Sequence, residues 1–355
     1  MNCQNRVRML HVAVGYSEYE LCDKELIMND QIESSSEEIR PARTSAEQHE
    51  ALELLVRDSG SFQLDRDVSL ILDQAEAGEF DLANLMVACS PRDEQNSSPH
   101  ILGSILLIVQ PDGTGLVWPP SVSSKKVIPE KRKELRYRLL DQTAKIAQSQ
   151  QCSHMQCSVS AEQELDIEAF QKCGFQELGN MLFLMRTFDL ISEQRKSLKN
   201  KPLKLIPYQK VIDDSQLANL IERTYEDSQD FPELQGQRTG DQAIRSHRTQ
   251  GKYHPEWWLV IEQNGVAVGI LFFAEHTELE QVELIYIGII KKYRNQGFAK
   301  GALAQAIRKF KREKQSLFLG VDARNLAAVK LYESLGFERI SRQRIFFHSL
   351  NNPEK

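Results

Sequence analysis

Apolar and polar residues alternate most clearly between positions 203 and 350, and this pattern predicts a series of strands and helices. The runs "WWLVIEQ" and "AVGILFFAE" flank Asn264-Gly265, a residue pair that favours a tight hairpin turn. The run "ELIYIGII" predicts a third strand, and the helical spacing of Leu303, Ala306 and Ile307 predicts a helix after it. The stretches "SLFLGVD", "LAAVKLYESLG" and "RQRIFFHSL" then predict a strand, a helix and a closing strand.

The first half of the chain repeats this order of elements. Pro41 and Pro207, Gly103 and Gly269, and Lys125-Lys126 and Lys291-Lys292 are each 166 residues apart, and Gly174-Phe175 and Gly336-Phe337 are 162 apart. Matches in the same order at nearly constant spacing indicate a duplicated domain of about 150 residues. The alternative is a pair of unrelated domains whose glycines coincide.

Two polar stretches mark the predicted boundaries. Residues 1–36 lead into the acidic stretch "NDQIESSSEEI", which predicts a flexible tail. Residues 191–202, within "ISEQRKSLKNKP", predict a linker. The two domains are therefore expected over 37–190 and 203–350.

Composition narrows the class of protein. The 355 residues are 41% hydrophobic and 26% charged, and no window approaches 18 consecutive apolar residues, so no membrane partner is expected. The second half of the chain has no cysteine, which favours reduced thiols in a cytoplasmic protein. The six cysteines form no CxxC pair and the histidines no HExxH, so neither a disulfide framework nor a metal site is expected. The net charge is −6, and the small basic excess after position 200 is too mild to indicate nucleic acid. Oligomeric state is not readable.

The candidate chemistry begins with "RNQGFAKG", where the third strand gives way to a helix. A pyrophosphate needs converging backbone N–H groups and the positive end of a helix dipole. The small residues Gly297, Ala299 and Gly301 would let the backbone approach such a group closely. The alternative is a plain turn.

A second motif downstream makes the chain resemble the GNAT superfamily of N-acetyltransferases. The loop resembles the family's R/Q-x-x-G-x-G/A sequence, with Arg294, Gly297 and Ala299 at the motif positions. In "VDARNLAAVKLYESLGFERI" the family's second motif is matched by Asn325, Ala328, Tyr332, Gly336 and Phe337. The resemblance covers 203–349 well and the first half in outline. It implies an α/β (α+β) fold of two tandem GNAT-like domains, each with a mixed, mostly antiparallel sheet flanked by helices.

The resemblance also implies acetyl-CoA as acetyl donor and assigns residues to it. The strand "ELIYIGII" would pair with the pantetheine arm, the loop would hold the pyrophosphate, and a side chain of the second motif would contact the arm. The residues so assigned are Ile287, Gly288 and Ile289; Arg294, Asn295, Gln296, Gly297, Phe298, Ala299 and Lys300; and Asn325.

Proton transfer needs a base for the attacking amine and an acid for the departing thiolate. By resemblance, Glu283 is the candidate base and Tyr332 the candidate acid. The alternatives are a solvated carboxylate at a strand end and a core aromatic residue. For a small-molecule or protein amine acceptor, the acidic stretch after the first helix offers Glu226, Asp227 and Asp230, which could equally be a polar loop with capping acids.

The first half departs from the family pattern at each corresponding position. No glycine lies between Gly115 and Gly174, Pro129 removes an N–H donor, and Pro119-Pro120 stands where the pantetheine arm would pair with the strand. Phe170 stands at the position of the tyrosine. We therefore expect a degenerate N-terminal copy and one catalytic C-terminal domain. The alternative function is a non-catalytic, acyl-CoA-binding regulatory protein.

Overall fold

The computed structural model describes two compact units, one after the other along most of the chain. The described residues are 37–58, 64–78, 80–90, 100–160, 164–188, 203–234, 236, 239–277, 280–311 and 314–350. The predicted tail, 1–36, and the predicted linker, 191–202, lie outside these ranges. Of the described residues, 178–345 form the C-terminal unit, and 37–177 together with 346–350 form the N-terminal unit.

The N-terminal unit alternates strands with helices as the repeat predicts. Its elements are β1 (Glu38–Pro41), α1 (Ser45–Asp58), α2 (Leu64–Glu76), β2 (Leu85–Cys89), β3 (Ile101–Val109), β4 (Thr114–Val122), α3 (Pro129–Ser149), β5 (His154–Ser160) and α4 (Glu164–Lys172). Strands β1 to β4 pair antiparallel in chain order, and β4 pairs parallel with β5. One hydrophobic cluster includes Leu139 and Phe170, and a second includes Leu52 and Val56 of α1.

The C-terminal unit contains the elements read most clearly from the sequence. They are β6 (Gln176–Thr187), β7 (Lys204–Pro207), α5 (Asp214–Tyr225), α6 (Gly240–Arg248), β8 (Lys252–Gln263), β9 (Val266–His276), β10 (Gln281–Ile289), α7 (Phe298–Phe310), β11 (Ser316–Asp322), α8 (Leu326–Glu333) and β12 (Glu338–Ser349). The sheet order β7-β8-β9-β10-β11-β6 is antiparallel except for the parallel pair β10–β11. Helices α7 and α8 pack on one face of this sheet, and α5 and α6 pack on the other. The predicted mixed, mostly antiparallel fold is confirmed.

The boundary between the units differs from the predicted one. Residues 181–187 of β6, expected in the first domain, pair antiparallel with all of β11, and Leu184 is fully buried in the C-terminal core. At the other end of the chain, the Phe346 ring stacks on Phe170 in the N-terminal unit. A strand's alternation of apolar and polar residues shows which of its faces is buried, but not which sheet it joins, so the sequence could not place β6 or the end of β12.

Both units carry an irregularity at matching places in their sheets. In the N-terminal unit, the register between β3 and β4 shifts around Pro119 and Pro120. In the C-terminal unit, the register between β9 and β10 shifts between Leu284 and Tyr286. Because proline cannot donate to the ladder, a bulge is where a strand tolerates it. No helix of the described residues combines the length and apolarity that a membrane crossing requires.

Candidate active site

The site is built around the parallel pair β10–β11, which is short. The two strands are in register only where Gln281 to Glu283 lie beside Ser316 to Phe318. Antiparallel pairing with β9 continues along β10 to Ile289. From the bulge onward, the edge of β10 that faces β11 therefore has no partner strand among the described residues. This edge contains the backbone of Ile287, Gly288 and Ile289, and it can accept an extended ligand as an added strand.

Glycine is required at position 288 for packing. A Cβ atom there would lie 2.5 Å from the Thr224 side-chain oxygen at the end of α5. The Thr224 hydroxyl also lies 2.7 Å from the hydroxyl of Tyr286. The end of α5 therefore rests directly on β10. This contact by itself explains the glycine without any ligand.

The loop after β10 presents backbone N–H groups at the start of α7. Asn295 and Gly297 have φ angles of 60° and 82°, in the left-handed region, and α7 begins at Phe298. Among the described residues, no group accepts a hydrogen bond from the N–H of Asn295, Gln296 or Gly297. Successive amides in such a conformation form a concave anion site, which the helix dipole reinforces.

The space in front of this loop is open. A Cβ atom at Gly297 would have no protein atom within 4 Å. The Phe298 side chain is buried in the core, so this residue and the following Ala299 and Lys300 can contribute their main-chain N–H groups at the first turn of α7. The loop thus has the shape and the donors that a pyrophosphate needs.

The Arg294 side chain has a different role from the anion contact that the motif suggests. Its guanidinium donates to four backbone carbonyls, those of Thr224, Glu226, Asp227 and Ile289, at 2.6 to 3.0 Å. The first three lie at the end of α5 and just after it, where helix carbonyls have no internal partner. Arg294 therefore joins the loop to α5, and contact with an anion falls to the backbone amides.

The second motif forms the beginning and the inner face of α8. The Asn325 side chain accepts a hydrogen bond from the Ala328 N–H at 3.2 Å and so caps the helix. Tyr332 is 5% exposed and packs edge-on to Phe337, with their rings 5.8 Å apart. Burial and the negative charge of Asp230 raise the pKa of Tyr332, so its hydroxyl keeps its proton at neutral pH.

Glu283 is not the solvated carboxylate that its position at a strand end allows. Its side chain is 1% exposed, and Oε2 lies 2.9 Å from Nε2 of His276, which is 2% exposed. The two residues are diagonal neighbours on the face of the sheet that also carries α5 and α6, since Glu283 is opposite Ala274 and Gln281 is opposite His276. No motif in the sequence signalled this histidine, because its contact with Glu283 depends on the register between β9 and β10.

Two of the three predicted acceptor residues are already paired. The Lys291 ammonium lies 3.0 Å from a Glu226 oxygen and 2.6 Å from an Asp227 oxygen. This exposed pair of contacts lowers the pKa of the Asp227 carboxyl. Both carboxylates are thus directed at the loop that follows β10. The geometry does not direct them towards an acceptor.

Asp230 differs from these two residues. Its Oδ1 accepts the Asp322 N–H at 2.8 Å, at the end of β11, and among the described residues no cationic side chain lies within salt-bridge distance of it. The residue is exposed, and desolvation of its carboxyl raises its pKa, while the charge of Arg324 acts in the opposite direction. The charge of Asp230 also acts on Tyr332. Asp230 is therefore the predicted acceptor residue that the structure places near the candidate acid.

Asp322 and Arg324 shape this end of the site, although no motif in the sequence assigned them to it. Asp322 is fully buried and accepts the Phe231 N–H at 3.0 Å. The Arg324 guanidinium binds Asp322 at 2.7 Å and Glu233 at 2.9 Å. These bonds fix the segment after α5 against the end of β11. In the sequence, only their position in "VDARN", just before the motif residue Asn325, could have pointed to them.

The corresponding region of the N-terminal unit has a different form. Helix α3 begins at Pro129, and no residue between 114 and 150 has a positive φ. Arg132 donates from Nη2 to the Ser124 carbonyl at 2.8 Å and from Nε to the Val127 carbonyl at 2.7 Å. Carbonyl groups and a proline thus stand where the other unit has amide donors. Among the described residues, no group of three or more His, Cys, Asp or Glu could hold a metal ion.

Comparisons with known proteins agree with the fold. The family model "Acetyltransferase (GNAT) family" matches residues 219–337. A GCN5-related N-acetyltransferase from Sphaerobacter thermophilus superposes with a TM-score of 0.63 at 15% identity, over 89% of this chain and 96% of that one. A tandem GNAT protein from the clavulanic acid biosynthesis pathway gives 0.51 at 13% identity, over 90% of this chain and 100% of that one.

A third solved structure resembles the chain over only part of its own length. It contains a GCN5-related glucosamine N-acetyltransferase region in a fungal multi-domain GH3 β-N-acetylglucosaminidase, with a TM-score of 0.57 at 15% identity, over 90% of this chain and 39% of that one. At these identities the structural matches concern the fold. No curated protein sequence matches the chain. The family model and the fold agree, and residues 219–337 are similar to the acetyltransferase (GNAT) family.

Proposed function

We propose that the C-terminal unit transfers the acetyl group of acetyl-CoA to a primary amine by direct attack, without a covalent acyl-enzyme. The observation that carries this proposal is the arrangement of β10, whose edge towards β11 opens after Glu283 and leads into the amide-rich loop at α7. The open edge of β10 offers strand-like hydrogen bonding, and the loop that follows it offers an anion site. A pantetheine arm that ends in a pyrophosphate requires both features in this order.

The residues of β10 and of the loop would bind and orient the donor. The open backbone edge at Ile287, Gly288 and Ile289 would hold the amide groups of the pantetheine arm. An N–H of this edge beside the thioester oxygen would stabilise negative charge as the amine attacks. The amides from Asn295 to Lys300 would hold the pyrophosphate, with the side chain of Asn325 near the arm.

The proton transfers are assigned to two buried side chains. Glu283 would take a proton from the acceptor ammonium, through water, so that the nitrogen lone pair can form the new C–N bond. As the C–S bond breaks, Tyr332 would give its proton to the thiolate. The raised pKa of Tyr332 keeps this proton available at neutral pH, which suits a general acid.

At the acceptor end, Asp230 is the carboxylate best placed to attract an ammonium group. It has no cationic partner within salt-bridge distance among the described residues, whereas Asp227 is bound by Lys291. We therefore infer that the acceptor is cationic at neutral pH. The Arg324–Asp322 pair would hold the wall of the site in place.

Asp230→Asn should raise the KM for the acceptor about tenfold, because an ion pair at a partly desolvated site contributes about 1.4 kcal/mol or more. The KM for acetyl-CoA should stay within about twofold. Asp227→Asn is the matched control, since it removes a charge three residues away that Lys291 already neutralises. Equal effects of the two substitutions on the acceptor KM would contradict the assignment of Asp230.

The proposed function is tested by calorimetric titration with acetyl-CoA, followed by a thiol-release assay over a panel of amines. Binding with turnover on at least one amine supports the acetyltransferase. Binding without turnover on any amine supports the alternative, a non-catalytic acyl-CoA-binding protein. Absence of binding contradicts both.

A further inference from the structure

Glu283 is the candidate base. Among the bonds described for it, the closest contact with another titratable group is the one with His276. Oε2 of Glu283 and Nε2 of His276 are 2.9 Å apart, and both side chains are almost completely buried. An ionised carboxylate only accepts hydrogen bonds, so this bond requires a proton on Nε2 whenever Glu283 is ready to act as a base. The bond occupies one carboxylate oxygen and restricts the rotation of the group.

The other titratable groups on this face of the sheet have partners of their own. Asp322 of β11 is bound by Arg324, the hydroxyl of Tyr286 by Thr224, and the ring of His247 on α6 by Gln250. The hydroxyl of Tyr253 on β8 lies 3.2 Å from that of Tyr208. His276 is the titratable group whose described hydrogen bond reaches Glu283 directly.

We propose that His276 is a positioning residue, whose Nε2–H holds one oxygen of the Glu283 carboxylate and sets the pH at which this base can accept a proton from the acceptor. This inference rests on the proposed function, in which Glu283 is the base. A hydrogen bond to the charged form favours that form. In a buried site this bond offsets the desolvation of the carboxylate and keeps it ionised at lower pH.

A second histidine–glutamate pair in the same sheet supplies a matched control. Nε2 of His254 lies 2.7 Å from Oε2 of Glu275, across β8 and β9. Glu275 is adjacent to His276 in the strand and therefore points to the opposite face, where Lys314 also binds it. Substitution of His254 removes the same chemical contact from the side of the sheet that does not carry Glu283.

The first experiment measures kcat/KM against pH for wild type, His276→Ala, His276→Gln and His254→Ala. The assay is thiol release at saturating acetyl-CoA with whichever amine of the panel turns over. His276→Ala should move the acid limb up by about one to two pH units, because a hydrogen bond to a charged group is lost. His276→Gln, whose amide N–H can still donate, should recover part of this shift, and His254→Ala should leave the limb in place.

A second measurement uses no acceptor and no substitution of His276. In protein with isotope-labelled histidine, the NMR titration midpoint of His276 should fall by about one pH unit or more in Glu283→Gln, since a neighbouring negative charge is removed. Glu275→Gln, the matched control, should leave the His276 midpoint in place. An acid limb that stays in place in folded, active His276→Ala, or an unchanged His276 midpoint in Glu283→Gln, would overturn the inference.

Absence of turnover by wild type on every amine would instead count against the proposed function. In that case the His276 midpoint in Glu283→Gln still decides whether His276 and Glu283 are coupled.

Discussion

At the scale of single residues, Tyr332 has two sets of properties at once. It is a core aromatic, packed edge-on to Phe337, and its hydroxyl is subject to the field of Asp230. The sequence left a choice between packing and catalysis, and the structure shows that packing does not exclude the second role. A substitution that removes only the hydroxyl separates the two.

Tyr332→Phe should lower kcat about a hundredfold and leave the KM for acetyl-CoA nearly unchanged, because the hydroxyl acts only as the thiolate departs. The ring contact with Phe337 is kept, so the melting temperature should change little. Tyr137→Phe, a partly buried tyrosine of the N-terminal unit, is the control for loss of a hydroxyl as such. An unchanged kcat in Tyr332→Phe would remove this residue from the mechanism.

Gly297 offers a test of the loop that separates backbone strain from ligand contact. Gly297 and Gly265 have φ angles of 82° and 79°, and neither has a protein atom near the place of a Cβ. Valine at either position should therefore cost a similar amount of stability, at least about 1–2 kcal/mol. Only Gly297→Val should also weaken acetyl-CoA binding, by tenfold or more, when measured by calorimetry. Equal affinities of the two variants would contradict the loop assignment.

At the scale of elements, the loop depends on α5 as well as on α7. Three of the four carbonyls bound by Arg294 connect the loop to the end of α5, and Lys291 binds Glu226 and Asp227 in the same place. The motif shows that an arginine is present but not which way its side chain points. The orientation of the Arg294 side chain depends on backbone carbonyl groups about 70 positions earlier in the chain, and no local sequence pattern includes them.

Arg294→Ala should lower the free energy of unfolding by about 1–3 kcal/mol and weaken acetyl-CoA binding, because carbonyls at the end of α5 lose their donors. Arg294→Lys should recover only part of the loss, since an ammonium cannot span four carbonyls as a planar guanidinium does. Arg339→Ala, which breaks an exposed ion pair with Glu333, should change stability by less than about 1 kcal/mol. Chemical denaturation of the three variants provides the comparison.

Elements were predicted well where a strong local pattern specifies them. The hairpin at Asn264-Gly265, the start of α7 after Gly297 and the end of α8 near Gly336 all follow from residues that suit positive φ. The His276–Glu283 pair, the binding of Asp227 by Lys291 and the placement of β6 were not predictable in this way. Each depends on which side chains or strands folding brings into contact, and no local pattern states this.

At the scale of the whole molecule, the duplication is visible in structure as well as in sequence. Both units have a parallel strand pair, β4–β5 and β10–β11, and both have an irregularity in the strand before the helix. Only the C-terminal unit follows this strand with a loop of left-handed residues. We therefore expect one acetyl-CoA site in the chain, and the N-terminal unit stays a predicted degenerate copy.

The most direct test of the central claim combines stoichiometry with chemistry in one preparation. Acetyl-CoA is titrated into wild-type protein and into Gly297→Val, and the same samples are incubated with the amine panel, whose products are identified by mass spectrometry. The account predicts one binding site per chain in wild type, an acetylated amine, and loss of both in the variant. Acetyl-CoA binding that persists in Gly297→Val, or acetyl transfer that does not depend on this loop, would contradict it.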